Sequence, residues 1–476
     1  MEKTKKKDNY VRGVARSGAG VVKYRETGMT TWEIPAGEMF DGVRAEEGGK
    51  RVKLSLLPEE KVFKDPVHDY IHVRKRLVWD LINTRAFQRL RRIKQMGTSD
   101  LTFHGAVHTR FAHSLGAYEV MRKLLNYLSR FWTRQPDEFV AVAYVAALLH
   151  DIGHGPFSHA FEKAIGSRHE EWTQRIIRED EEIAAILAGM DPGFPDEVAR
   201  VYDEAQPVRF PLIRQLIASQ LDVDRMDYLL RDAICTGVTY GRFELERMFR
   251  IMEPHWEGGG DIPTSIVLRP SGIHTVEQYL VARYFMFTQV YLHPNTIGSD
   301  VLLEKILRRA RMLYREGRLA FVPRALVPFF RSNDPNRELS VSEYIALDET
   351  VMMAAFHEWQ HEADPVLADL ASRFLHRRLF QYVDFPGEEA MAHIRDALTR
   401  EGLDPDSYLA VVRRDNKLFC DFSGVRVLVG GQPVDIVELS DIVRALRQQA
   451  KPIHKLYYPD DIPSVRDAVA RWVARG

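Results

Sequence analysis

Four ionisable residues stand where helical periodicity assigns the core: His113, His150, Asp151 and Asp224. His113 shares a helical face with Ala117, Val120 and Leu124, at i+4, i+7 and i+11. His150 and Asp151 close the run Phe139–Leu149, which is apolar on every side and so reads as a buried helix. Asp224 continues the stripe Ile213, Ile217, Leu221, and Tyr228 follows on the same face. A buried unpaired charge is expensive, so such residues are paired or hold a metal. A lone inward histidine is usually a hydrogen-bonded core residue. Four such residues on three buried helices, two of them adjacent, are a metal set. Two imidazoles and two carboxylates suit one divalent cation (Mn, Mg, Fe, Zn or Ni) and leave coordination positions for water and substrate.

A second set follows directly. His154 comes one helical turn after His150, His159 and Glu162 are three apart, and His169-Glu170 forms another acid–base pair. Splitting a phosphate ester requires a proton for the leaving oxygen and an activated water. Histidines and carboxylates beside a metal set suit that work. Phosphate also calls for arginine, and Arg110, Arg225, Arg231 and Arg283, with His293, accompany the relevant helices. Arg74 to Lys94 holds eight Lys/Arg against the single acid Asp80, and its bland reading is a solvated basic face.

The elements that must position these residues are mainly helical. Residues 1–60 read as an arm with short strands at 21–24 and 30–34, and 61–385 as an all-helical core. The spacing predicts helices over 77–96, 111–131, 137–150, 211–233, 274–291 and 299–314. Beyond 386 the texture becomes α+β: a helix over 388–400, strands near 408–413, 417–422, 425–429, 434–438 and 455–458, and helices over 441–449 and 464–473. The expected fold class is therefore mainly α, with a β-containing N-terminal arm and an α+β C-terminal appendage.

Composition narrows the classes further. The chain has 66 Lys+Arg against 67 Asp+Glu, so bulk charge does not draw it to nucleic acid. The two cysteines, Cys235 and Cys420, are far apart, which excludes a disulfide scaffold and a cysteine zinc site. No apolar run is long enough to span a bilayer and no signal-peptide core follows the basic start, so a soluble cytoplasmic protein is expected.

Taken as blocks, Phe63–His68, Phe87–Gly97, His108–Gly116, Ala147–His159 and Leu221–Asp232 resemble the HD-domain deoxynucleoside triphosphate (dNTP) triphosphohydrolases. The resemblance is to bacterial relatives of the mammalian SAM-and-HD-domain enzymes, with no SAM domain, and runs from about Lys61 to Leu307. It implies hydrolysis of a dNTP to deoxynucleoside and triphosphate by attack on the α-phosphorus. It also implies that His113, His150, Asp151 and Asp224 hold one metal per subunit. His154, supported by Glu162 and His169 or Glu170, would move protons, with His159 near the leaving 5′ oxygen. Arg110, Arg225 and Arg283 would hold phosphates; Gln95, Tyr228, Asp232 and Tyr291 would line the sugar and base pocket. Homo-oligomers, tetramers or dimers, are implied, activated by nucleotide bound between subunits near Lys61, Val62, Asn83, Gln88 and Arg91. An amide at Asn83 cannot accept both guanine N–H donors as a carboxylate can. Two other classes share parts of this pattern: an HD-type phosphodiesterase acting on another nucleotide, and a nucleic-acid-binding or defence sensor using the basic segments. The intact metal set and the flanking blocks favour the dNTP reading.

Overall fold

The computed structural model describes residues 53–414, 422–448 and 452–473. The strands expected at 21–24 and 30–34, the first 52 residues of the arm and nearly all of the strand expected at 417–422 lie outside them. The described chain opens with an antiparallel hairpin, β1 (Leu56–Asp65) and β2 (Asp69–Lys75). Asp65 caps the turn by accepting the N–H groups of Val67 and His68.

The segment 77–96 does not form one helix. It breaks into α1 (Arg76–Ile82), α2 (Arg85–Arg89) and a 3₁₀ turn, because Thr84 leaves the helical region and caps α2 by accepting the Phe87 N–H. The centre of the molecule is built from α3 (Arg110–Leu128), α4 (Asp137–Leu149) and α10 (Val223–Thr236). Along α4, Phe139, Val142, Val145, Leu148 and Leu149 are all essentially inaccessible. Each such side chain contributes about 1.5–3 kcal/mol of burial, so α4 is a firm base for the residues at its end. Around this centre lie α5 (His159–Ile165), α6 (His169–Glu179), α7 (Glu181–Ala188), α8 (Phe194–Arg200) and α9 (Pro211–Ile217).

The expected helix 211–233 is also two helices. The backbone leaves α9 at Ala218, and Asp222 starts α10 afresh by accepting the Arg225 N–H. Asp224 therefore does not continue the stripe of Ile213 and Ile217; it sits in the first turn of a new helix. Beyond it come α11 (Leu245–Ile251), the strands β3 (Met252–His255) and β4 (Ser265–Leu268), and α12 (Ile273–Met286), which runs into a π-turn over Phe287–Tyr291. The long α13 (Pro294–Arg315) follows, then α14 (Val327–Arg331), α15 (Pro335–Glu338), α16 (Val341–Ile345), α17 (Glu349–Trp359) and α18 (Pro365–Leu375).

The remainder consists of β5 (Gln381–Asp384), α19 (Glu388–Arg400), α20 (Pro405–Tyr408), β6 (Ala410–Arg414), β7 (Arg426–Val429), β8 (Gln432–Asp435), α21 (Ile436–Leu439), α22 (Asp441–Gln448), β9 (Ile453–Tyr458) and α23 (Pro463–Val473). Two sheets weave this part into the helices: β3-β4-β7-β8, where β4 and β7 run parallel, and β5-β9-β6. Tyr457 of β9 donates to the Pro294 carbonyl at the start of α13, which seats the second sheet against that helix. The architecture is mainly α with small sheets. Among the described residues no helix is long and apolar enough to cross a membrane.

Candidate active site

His113 in the first turn of α3, His150 at the end of α4, Asp151 next to it and Asp224 in the first turn of α10 converge on one point. His113 Nε2 lies 3.0 Å from His150 Nε2, 3.0 Å from Asp224 Oδ1 and 3.6 Å from Asp151 Oδ2. His150 Nε2 is 3.5 Å from both Asp151 Oδ1 and Asp224 Oδ1. The donor set tests well for a cation. His150 Nδ1 is 2.9 Å from the Ala147 carbonyl, which only accepts, so Nδ1 carries the proton and Nε2 the lone pair. His113 Nδ1 meets the Asp227 carboxylate at 2.7 Å, with the same consequence. Two imidazole lone pairs and two carboxylates therefore face one another. Ligands bound at about 2.1 Å sit about 3.0–3.5 Å apart, close to these separations; His113, His150 and Asp151 offer ligand atoms within 4.8 Å of one another, and Asp224 joins them through the two histidines. The same carboxylates attract a cation of either kind: burial opposes charge on His113, yet Asp224 and Asp227 outweigh it and raise the imidazole to about 10, so a metal binds there in exchange for that proton. Against the same burial, Arg110 and His150 hold Asp151 well below the usual carboxylate range.

Behind His113 stands a layer that sequence reasoning missed. Asp227, fully buried one turn after Asp224, accepts from His113, from His68 Nε2 at 2.6 Å and from Arg231 Nε and Nη2 at 2.8 and 2.9 Å. Arg231 continues to Asp65. Gly116 permits this contact, since a Cβ there would lie 1.9 Å from Asp227 Oδ1. The signal was present in the i+3 spacing from Asp224 to Asp227 on a buried helix.

The second set assembles beside the first. His154 and His169 stack with ring centroids 3.8 Å apart, and His159 packs edge-on against both at 5.3 Å. Glu162 gathers all three: Oε1 is 2.9 Å from His169 Nδ1 and 3.3 Å from His154 Nδ1, and Oε2 is 3.1 Å from His159 Nδ1. The first two contacts are ion-pair distances without hydrogen-bond alignment, a looseness typical of sites that tighten on substrate. Burial, Arg110 and His169 push His154 down to about 4. Burial also disfavours charge on His169, but Glu162 overcomes it and raises that group. Glu162 itself is held far below its ordinary value by the three histidines, despite its burial. His154 Nε2 is 3.4 Å from Asp151 Oδ1, so the two sets touch. Gly153 lets α6 close onto this loop, because a Cβ there would sit 2.2 Å from the His169 carbonyl oxygen. Glu170 stands 3.3 Å from His169 Nε2 but is mostly exposed. Phe157 and Ser158 adopt positive φ of 57° and 51°, strain that Glu349 helps to hold by accepting the Phe157 N–H.

Both sets open into one cavity of about 560 Å³, lined among others by Gln95, Arg110, Asp151, His154, Asp224 and Tyr291. Residues 110–232 match the HD domain family. An uncharacterised Bacillus subtilis protein, YwfO, is 45% identical over 419 residues, covering 85% of this chain and 94% of that protein. The chain belongs to the HD-domain family that contains YwfO. A crystal structure of a phosphohydrolase from Bacteroides thetaiotaomicron, 29% identical, superposes with a TM-score of 0.73 over 84% of this chain and all of that one. The deoxynucleoside triphosphate triphosphohydrolase SAMHD1 of Danio rerio is 31% identical over 237 residues, 42% of this chain and 37% of that protein. The protein is thus an HD-domain member of the phosphohydrolase superfamily, and its HD residues could hold a divalent metal.

In this HD protein the other expected residues fall into three groups. Tyr228, Asp232, Tyr291, Gln95 and Arg110 line the cavity. Asp232 is fixed from both sides, by Tyr291 OH and His108 Nε2, each at 2.7 Å. Gln95 Oε1 is buried without a partner, and Arg110 bridges Asp151 and Ser158. Arg225 and Arg283 lie outside that lining. Arg225 binds Asp222 and the Ser219 carbonyl, and Arg283 binds Gln220, while the Nε of each is buried and unpartnered. His293 lies outside the lining too and caps α13 by accepting the Asn295 N–H. The candidate activator residues form a separate group. Gln88 binds the Ile82 carbonyl, Arg91 binds Gln88 and lies over Phe111, and Asn83 binds the Trp79 carbonyl. Lys61 and Val62 are on β1, where Val62 is exposed.

Proposed function

We propose that the protein hydrolyses a dNTP to deoxynucleoside and inorganic triphosphate. The observation that carries the reading is the contact between the HD ligand set and the His154–Glu162–His169 cluster within one cavity. The similarity to triphosphohydrolases supports it. Water adds its oxygen to the α-phosphorus, the bond from phosphorus to the 5′ oxygen breaks, and a proton passes to that oxygen. His113, His150, Asp151 and Asp224 would hold a divalent metal, which would supply Lewis-acid charge to that phosphoryl group. His154 orients the attacking water beside Asp151, and Glu162 holds the His154 ring in register. His159, the most exposed of the three histidines, delivers the proton to the leaving oxygen. Arg110, which lines the cavity, takes the phosphates, and Arg225 and Arg283 join it only on turning away from Asp222 and Gln220. Gln95, Tyr228, Asp232 and Tyr291 take the deoxyribose. The same reading makes the chain a homo-oligomer with an activating nucleotide near Asn83, Gln88 and Arg91.

Product analysis with each dNTP alone and in mixtures, with Mn²⁺ or Mg²⁺, tests the reading. Triphosphate release is expected, and the double change His150→Ala and Asp151→Ala abolishes it. Retained release in that variant, or none from any dNTP with the unaltered protein, would overturn the proposal.

A further inference from the structure

The cavity has a second polar wall, and the C-terminal part of the chain supplies it. Val412 and Arg414 lie two apart on β6, hence on one face of the strand, and both line the cavity. Helix α13 contributes Thr296, Ile297, Asp300 and Val301 to the same lining. Thr98 donates a 2.7 Å hydrogen bond to Asp300 Oδ1, while Oδ2 stands 3.9 Å from Arg414 Nη2. At that separation the pair attracts without a hydrogen bond, so the carboxylate and guanidinium keep capacity for a ligand. Thr296 Oγ1, in a residue only 5% exposed, has no partner at all. An unpaired buried hydroxyl beside an open ion pair marks a subsite for a polar, flat-edged group with apolar sides.

Charge decides which end of a nucleotide lies there. Along this wall Asp300 and Glu304 balance Arg414 and Lys163, and Glu304 is already paired with Lys163 and Arg308, so no excess positive charge draws phosphates there, whereas Arg110 lies with the HD ligands. Burial raises the Asp300 carboxyl, and the Thr98 hydrogen bond and the charges of Arg414, His159 and Lys163, none of them a metal ligand, oppose that rise. Phe287, Leu292, Ile297 and Val412 supply apolar surface nearby, suited to the faces of a base.

We propose that Asp300 and Arg414 form the base-reading pair of the site and select guanine. The proposal rests on the dNTP reading above. Guanine offers two adjacent N–H donors, N1 and N2, that one carboxylate accepts together, and two adjacent acceptors, O6 and N7, that one guanidinium meets. Adenine and cytosine bring only one amino group to the carboxylate, and thymine one imino group. Guanine alone satisfies both partners bidentately.

Pairwise competition is the test: two dNTPs share one reaction, and their consumption ratio gives the ratio of kcat/KM. Both substrates meet the same enzyme population, so activation by either cancels. The unaltered protein is expected to favour dGTP about tenfold or more over each competitor. Asp300→Asn and, independently, Arg414→Met should each bring the ratios close to one while thermal unfolding stays near that of the parent. Equal consumption by the unaltered protein would overturn the proposal, as would variants that slow all four dNTPs alike. In both cases triphosphate is still released, so the hydrolase reading survives. No triphosphate from any dNTP would remove that reading, and the base assignment with it. If one variant fails to fold, the other and the parental ratios still decide.

Discussion

Asp227→Asn is the sharpest probe of how the ligand set is held. Asp227 receives four donors on two oxygens: His68 and Arg231 Nη2 on Oδ1, His113 and Arg231 Nε on Oδ2. An asparagine keeps the shape but turns one oxygen into an NH₂. If the amide replaces Oδ1, it faces Arg231 and His68; if it replaces Oδ2, it faces Arg231 and His113. In either orientation one Arg231 N–H loses its acceptor inside the core, at about 1–3 kcal/mol. In the second, His113 must accept at Nδ1, which places its proton on Nε2 and removes a ligand lone pair. Loss of such an outer partner costs about 10- to 100-fold in metal affinity, or about 1.4–2.7 kcal/mol. The assay is calorimetric titration of metal-stripped protein with Mn²⁺, alongside thermal unfolding. A folded variant that binds Mn²⁺ with the parental affinity would refute the claim that the Asp227 carboxylate supports the ligand set through His113.

Two further outcomes follow from the same geometry. Gly116→Ala drives a Cβ into Asp227 and Arg231, at 1.9 and 2.3 Å, so it should destabilise the protein by about 3 kcal/mol or more and lower its metal content; an unchanged unfolding midpoint would contradict this. Burial pushes the Glu349 carboxyl from 4.5 up to about 7, so the folded state holds its proton more readily than the unfolded chain and stability falls as pH rises through that interval. Glu349→Gln retains the acceptor for Phe157 and Lys94 without the charge, and should gain up to about 3 kcal/mol over the parent at pH 8, fading toward pH 4.5. Urea unfolding at both pH values measures it, and a pH-independent difference would rule it out.

The mainly α class and the convergence of His113, His150, Asp151 and Asp224 were legible because buried charge breaks an apolar pattern visibly. Asp224, however, reaches the site from a helix of its own. A stripe extrapolated from Ile213 and Ile217 ignored Asp222, whose side chain begins a new helix. Thr84 likewise divided a segment whose periodicity read as continuous. The basic run Arg74–Lys94 read as a solvated face, yet Arg89 is buried and donates to the carbonyls of His154 and Leu347. Its role depends on partners 65 and 258 positions away, which no local period encodes. Arg414 escaped notice for the same reason, since only the pairing of β6 with β9 carries it to the cavity.

That pairing has a consequence for the order in which the site comes into being. The last HD ligand, Asp224, is synthesised about 190 residues before Arg414. At about 5–20 residues per second, this is roughly 10–40 s during which a nascent chain carries every metal ligand but not the β6 wall. A ribosome-bound chain would thus hold the four HD side chains well before the cavity wall that β6 supplies.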